Sequence, residues 1–249
     1  MQTLFDGFAR SIHGHAHAPL RDRKDAGEKL VQRLNAYAGR EDVVVVGLPR
    51  GGVPVAYEIA AGLGVPLDIL VVRKLGVPGQ EELAMGAIAS SGGRVLNREI
   101  VDTLLISDEV IEAASAREQQ EITRRLRAYR GDKPPLNVQG KTVILTDDGV
   151  ATGATLAAAL AALRMQQPAK IIVAVGVAPP ESCQEIAKDA DELICLYQPD
   201  PFIAVGIWFA DFSPTTDEEV RTLLAQAEFR LHNTKASRVD RKEDERANE

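Results

Sequence analysis

The chain has 249 residues, 36 acidic against 29 basic side chains and a formal charge of −7, with 45% hydrophobic and 4% aromatic content. At about 150 residues per domain, that length allows one large domain with an appendage and a core that needs no disulfide staples. The acidic balance excludes a dedicated nucleic-acid binder, which presents a basic face, but leaves room for a small anionic ligand at a local site.

Cys183 and Cys195 form no CxxC and match no zinc spacing, so the expectation is two free thiols in a reducing compartment. Residues 1–23 hold no apolar leader core. No apolar run approaches the roughly 18 residues of a membrane span, which makes the cytoplasm the expected location.

Few aromatics and many Ala, Val, Leu and Ile residues point to packed α/β layers. In chain order, residues 21–38 read as a helix that precedes the sheet. Val43-Val44-Val45-Val46 is a β-branched run suited to a strand buried on both faces. It ends in Gly47-Leu48-Pro49-Arg50-Gly51-Gly52, followed by a helix over 53–63 and a strand over 67–72 that stops at Arg73-Lys74. Residues 75–83 read as a mobile loop, and Ser91-Gly92-Gly93 as a hairpin turn between strands 85–89 and 94–96.

Ser107 opens a polar helix to about Tyr129, with Ile111, Ala114, Ile122 and Leu126 on one face. Strands over 142–146, 170–177 and 192–196 then alternate with helices over 152–165 and 181–189, and a last helix spans 217–231. Repeated βα units of this kind predict a parallel sheet with helices on both faces. The expected organisation is an N-terminal helical segment (1–40), a core (41–200), a C-terminal hood (201–232) and a tail (233–249). From residue 235 onward the tail carries five basic and five acidic residues with almost no apolar content, so it is expected to be disordered.

The stretch Val143-Ile144-Leu145-Thr146-Asp147-Asp148-Gly149-Val150-Ala151-Thr152-Gly153-Ala154-Thr155 carries the chemistry. A buried strand delivers two adjacent carboxylates to its C-terminal end, where α/β sheets place ligands. The small-residue loop that follows opens a helix, and its backbone N–H groups with the Thr152 and Thr155 hydroxyls suit a phosphate. Carboxylates repel phosphate but accept from a sugar diol or hold a hard cation. Phosphate donors beside diol acceptors describe a ribose 5-phosphate site. Taken alone, Asp-Asp-Gly reads as a plain strand end; the apolar run before it and Thr-Gly-Ala-Thr after it give it meaning.

These thirteen residues resemble the phosphoribosyl-pyrophosphate signature of type I phosphoribosyltransferases, and the resemblance covers about residues 40–200. It implies the type I phosphoribosyltransferase fold: an α/β, mostly parallel central sheet with helices on both faces and a small hood from the terminal segments. By that resemblance Asp147 and Asp148 hold the ribose 2- and 3-hydroxyls directly or through Mg²⁺, and Gly149, Val150, Ala151, Thr152, Gly153, Ala154 and Thr155 surround the 5-phosphate. The loop Pro49-Arg50-Gly51-Gly52 stands where the family places its pyrophosphate loop, often with a cis peptide, for which Pro49–Arg50 is the candidate. Arg73-Lys74 resembles the pair that orotate enzymes set against pyrophosphate.

The implied reaction displaces pyrophosphate at ribose C1 by a nitrogen nucleophile. Arg50, Arg73, Lys74 and Mg²⁺ would neutralise the leaving group. Glu81 or Glu82 either accepts the nucleophile's proton or is simply a solvated loop acid. Ala151 stands where hypoxanthine–guanine enzymes carry Asp, and Val177-Ala178-Pro179-Pro180 stands where they carry a Lys, so a 6-oxopurine acceptor is disfavoured. Phe202, Val205 and Trp208 either line a flat acceptor or belong to a satellite hydrophobic core. Asp211 is a further candidate for the pyrophosphate-bound metal. His13, His15 and His17 read as a flexible stretch or a metal clip.

The resemblance thus implies a Mg²⁺-dependent enzyme whose partners are phosphoribosyl pyrophosphate and a small nucleobase-like acceptor, with no nucleic acid or membrane and with self-association into a homodimer. The alternative is a regulatory protein that senses phosphoribosyl pyrophosphate or a nucleotide and has lost catalysis.

Overall fold

The computed structural model describes the backbone of residues 19–247; the side chains of Glu82 and of 234–247, together with His13, His15 and His17, lie outside the described residues. Five parallel strands form the main sheet: β1 (Val43–Gly47), β2 (Leu67–Ile69), β6 (Thr142–Gly149), β7 (Lys170–Val177) and β8 (Glu192–Tyr197). Their order is β2-β1-β6-β7-β8.

The four valines of β1 divide between two cores. Val44 and Val46 face Leu156, Ala159, Leu160 and Leu163 of α5 (Ala154–Arg164) and Ile186 of α6 (Pro180–Asp189). Val43 and Val45 face α1 (Arg23–Leu34) and α2 (Gly52–Leu63), through Leu30, Leu34, Val55 and Ile59. Burial on both faces is what an unbroken β-branched run requires, and the α/β class read from the sequence is the one observed.

The stretch expected as one strand over 67–72 splits between two sheets. After β2, Leu70 N–H still donates to Gly47 O at 3.1 Å, and the chain then enters a three-stranded antiparallel sheet. That sheet holds β3 (Val72–Val77), β4 (Gln80–Ala89) and β5 (Arg94–Leu96), in the order β3-β4-β5.

Residues 75–83, expected as a mobile loop, are the arms and turn of the β3–β4 hairpin. Leu75, Val77 and Met85 are buried with Ile111 and Ile122 of α4 (Asp108–Arg130), and that burial anchors the hairpin. Gly79 makes the turn at φ 78°, a conformation that favours glycine. The expected β4–β5 hairpin is present. A helix that sequence patterning passed over, α3 (Arg98–Thr103), is capped by Asn97, whose side chain accepts from Ile100 N–H at 3.3 Å.

The last helix, α7, runs from Asp217 to Ala247, well past residue 231. The charges beyond 235 are of mixed sign, and no Gly or Pro interrupts the stretch from 232 to 247, so nothing in it breaks a helix. The terminal segments meet over the carboxyl end of the main sheet. Leu20 N–H donates to Trp208 O at 3.2 Å, and Ala210 and Asp211 N–H groups donate to Leu20 O (2.8 Å) and Arg21 O (2.7 Å).

Candidate active site at the carboxyl end of the sheet

From β1 the chain turns to β2 on one side, while β6 lies on the other. The crevice between β1 and β6 is therefore the topological switch point, where open α/β sheets bind ligands. Parallel register sets Gly47 beside Thr146, so the loop after β1 and the carboxylates after Thr146 emerge together. Leu48 N–H donates to Thr146 O at 3.0 Å and extends the pairing into the loop.

Gly51 and Gly52 allow a close approach of backbone to the acidic pair. A Cβ on Gly51 would run into Asp148 Oδ2. One on Gly52 would stand 2.8 Å from Thr146 O and 3.0 Å from Asp147 Oδ1. The Pro49–Arg50 peptide is cis, as the resemblance implied.

Asp147 and Asp148 differ in their surroundings. Asp147 Oδ1 accepts from the Asp148 backbone N–H at 2.9 Å. Burial first, and the neighbouring Asp148 charge second, push Asp147 well above the usual carboxylate range. Burial also raises Asp148, opposed by Arg23. Arg23 Nε donates to Asp148 Oδ2 at 2.8 Å, and both side chains are only 12% exposed.

After the acids, Val150 N–H donates to Val177 O at 2.8 Å, and Ser182 Oγ donates to Ala151 O at 2.6 Å. The rest of the loop is open: Ala151, Thr152 and Ala154 are exposed, and Gly153 and Thr155 partly so. Gly153, at φ 75°, starts α5, and no side chain caps that helix. An uncapped N-terminus behind a small-residue loop is a ready anion site.

Arg50, in the loop after β1, is half-exposed, its Nη1 3.7 Å from Asp217 Oδ1 at the start of α7. Tyr129 OH donates to the same oxygen at 2.7 Å. Burial, and then that bond, push Tyr129 up to about 12. Arg73 and Lys74, adjacent on β3, point to opposite faces. Arg73 shares its face with Leu75, which packs against α4, and Arg73 Nε donates to Glu118 Oε2 at 2.8 Å. Lys74 is exposed and shares its face with Val72, which packs in the core containing α5. The hairpin thus turns Lys74, rather than Arg73, to the side on which α5 lies. Glu81 is exposed at the start of β4.

Phe202 and Trp208 are half-buried and pack, with Val205, against the α1–α2 core. Val205 also covers the acidic loop, since a Cβ on Gly149 would meet its Cγ1 at 2.5 Å. Asp211 Oδ1 accepts from Ser213 N–H (2.9 Å) and Oγ (2.6 Å), contacts that hold its carboxyl below the usual range.

The donor set fits Mg²⁺ bound with a substrate. Among the described residues no group of three or more His, Cys, Asp or Glu is placed to hold a metal. Two adjacent carboxylates completed by substrate oxygens are a common Mg²⁺ arrangement.

Sequence reasoning missed Arg23. It lies 125 residues from Asp148 along the chain, and the only local sign is its place at the start of a helix capped by Asp22.

A family model described as the phosphoribosyl transferase domain matches residues 19–207. The chain belongs to that family. Two Mycobacterium tuberculosis proteins, Rv0571c and MT0597, whose names assign them provisionally to the phosphoribosyl transferases, are each 44% identical over 206 residues. That match takes in 83% of this chain and 46% of theirs, so the chain spans about half the length of these relatives. The crystal structure of TT1426 from Thermus thermophilus is similar at a TM-score of 0.73 and 40% identity, covering 83% of this chain and 98% of that one.

Proposed function

We propose that the chain binds phosphoribosyl pyrophosphate with Mg²⁺ and transfers its ribose 5-phosphate to a nucleobase-like nitrogen acceptor, releasing pyrophosphate. One observation carries this reading: the uncapped start of α5 and the Asp147–Asp148 pair stand at the two ends of a single loop in the switch-point crevice. The first suits a 5-phosphate and the second a ribose diol.

In this reading the loop from Val150 to Thr155 holds the 5-phosphate, and Asp147 and Asp148 hold the diol and Mg²⁺. Mg²⁺ supplies charge stabilisation for the departing pyrophosphate. The C1–O bond to pyrophosphate breaks, the C1–N bond forms, and the acceptor nitrogen loses its proton. Arg50 and Lys74 meet the charge that grows on pyrophosphate. Glu81 or Glu82 on the hairpin is the proposed proton acceptor. Phe202, Val205 and Trp208 wall the acceptor end while they complete the core.

A cytoplasmic location belongs to the same reading. It is supported by two free cysteines and by the finding that, among the described residues, no helix is long and apolar enough to cross a membrane.

The test is pyrophosphate release from phosphoribosyl pyrophosphate and a panel of nitrogen bases with Mg²⁺. Release is expected above that of the Asp147→Asn/Asp148→Asn protein. Equal rates would overturn the transferase reading.

A further inference from the structure

Arg23 makes three contacts, one with the acidic pair and two with the C-terminal hood. Nε donates to Asp148 Oδ2 at 2.8 Å, Nη1 donates to Ser213 O at 2.7 Å, and the guanidinium lies 4.0 Å from the centre of the Phe212 ring. The first residue of α1 therefore connects the acidic pair to the C-terminal hood. The contact is also pressed against the loop after β1, because a Cβ on Gly51 would stand 3.3 Å from Arg23 Nε.

A guanidinium held at this distance from a carboxylate, with both side chains shielded from water, is a strong local counter-charge. It takes one oxygen of the pair that would otherwise serve a divalent cation. The positive charge also lowers the attraction of the remaining oxygens for a second cation. Asp147 has a single carboxylate to offer, and one of its oxygens already accepts from Asp148 N–H at 2.9 Å. Asp211, across the hood, is engaged by Ser213.

We propose that Arg23 is a positioning residue that serves as the resident cation of the acidic pair, fixing Asp148 and barring a free divalent ion, so that metal binds only together with the phosphorylated sugar that supplies further oxygens. This rests on the reading of Asp147 and Asp148 as the diol and metal end of the site.

The experiment titrates Mn²⁺ alone, followed by its electron paramagnetic resonance signal, into the purified chain at pH 8 without sugar phosphate. Arg23→Gln is expected to bind Mn²⁺ at least about tenfold more tightly than the wild type, the scale of removing one charge beside a carboxylate site. Arg23→Lys keeps a cation there and is expected to bind as weakly as the wild type. A merely structural role for Arg23 does not produce a gain of affinity. Equal Mn²⁺ affinity for Arg23→Gln and wild type would overturn the proposal.

Should Arg23→Gln fail to fold, Phe212→Leu loosens the guanidinium without touching a carboxylate. A smaller gain is expected from it, and no gain would overturn the proposal. The transferase reading fails on a different readout, pyrophosphate release by the wild type, so the two failures are distinguishable.

Discussion

Arg73 Nε donates to Glu118 Oε2 at 2.8 Å, so the guanidinium is bound to α4, while Lys74, the next residue, lies on the other face of the hairpin. The two basic residues are a pair in sequence and not in space. Lys74→Ala is expected to slow transfer by roughly 10²-fold, the scale of losing one group that meets developing charge. Arg73→Ala is expected to change the rate much less and stability by about 0–1 kcal/mol, as for a partly exposed ion pair. Steady-state rates beside urea denaturation check this; a larger rate loss in Arg73→Ala would reverse the assignment.

The two aspartates should respond unequally to neutralisation. Asp148→Asn removes a charge that burial disfavours but leaves Arg23 shielded without its ion partner, so it should be the less stable of the two variants. Asp147→Asn removes a charge that burial and Asp148 disfavour, so the protein without ligand should become more stable. Both variants should lose affinity for ribose 5-phosphate. Denaturant midpoints and calorimetry measure the two effects, and destabilisation by Asp147→Asn would contradict the electrostatic account.

The pH dependence follows from the same pair. Both carboxyls are raised in the folded chain, so between the unfolded value of about 3.9 and the raised folded values the native state binds more protons than the unfolded one. Across that window their contribution to stability increases as pH falls and declines as pH rises through the folded values. Sugar-phosphate binding needs the ionised acceptors and should weaken as pH falls through the raised folded values. Thermal melts and calorimetric titrations across pH should therefore show these contributions moving in opposite directions. A binding loss confined to ordinary carboxylate pH would contradict the raised values.

Glycine substitutions separate the site from the scaffold. A Cβ on Gly52 meets Thr146 O at 2.8 Å and Asp147 Cα at 2.9 Å. These are backbone atoms that cannot swing aside, so Gly52→Ala should cost about 1–3 kcal/mol and displace the acidic pair. Gly64→Ala, at φ 66° with nothing within 4 Å, should cost about 1–2 kcal/mol for the left-handed backbone alone. Its ribose 5-phosphate affinity should stay unchanged, which isothermal calorimetry would show.

Local chemistry made much of this legible in sequence. The valine run announced a strand buried on both faces, and Asp147-Asp148 with the loop to Thr155 announced a strand end, an anion-binding turn and a helix start. What stayed hidden depends on distant partners. Residues 75–83 carry turn-like Pro78 and Gly79, yet burial of Leu75 and Val77 under α4 makes them a hairpin. Arg73 looked like a site residue because only the fold brings Glu118 to it. Arg23 gave no sign because its carboxylate partner is 125 residues away.

In the proposed function one loop holds a phosphorylated ribose through Asp147, Asp148 and the start of α5. Calorimetric titration of phosphoribosyl pyrophosphate with Mg²⁺ into the wild type and the Asp147→Asn/Asp148→Asn protein tests it most directly. Saturable one-site binding by the wild type is expected, lost on chelation of Mg²⁺ and in the double variant. Equal binding by the two proteins, or wild-type binding indifferent to chelation, would contradict it.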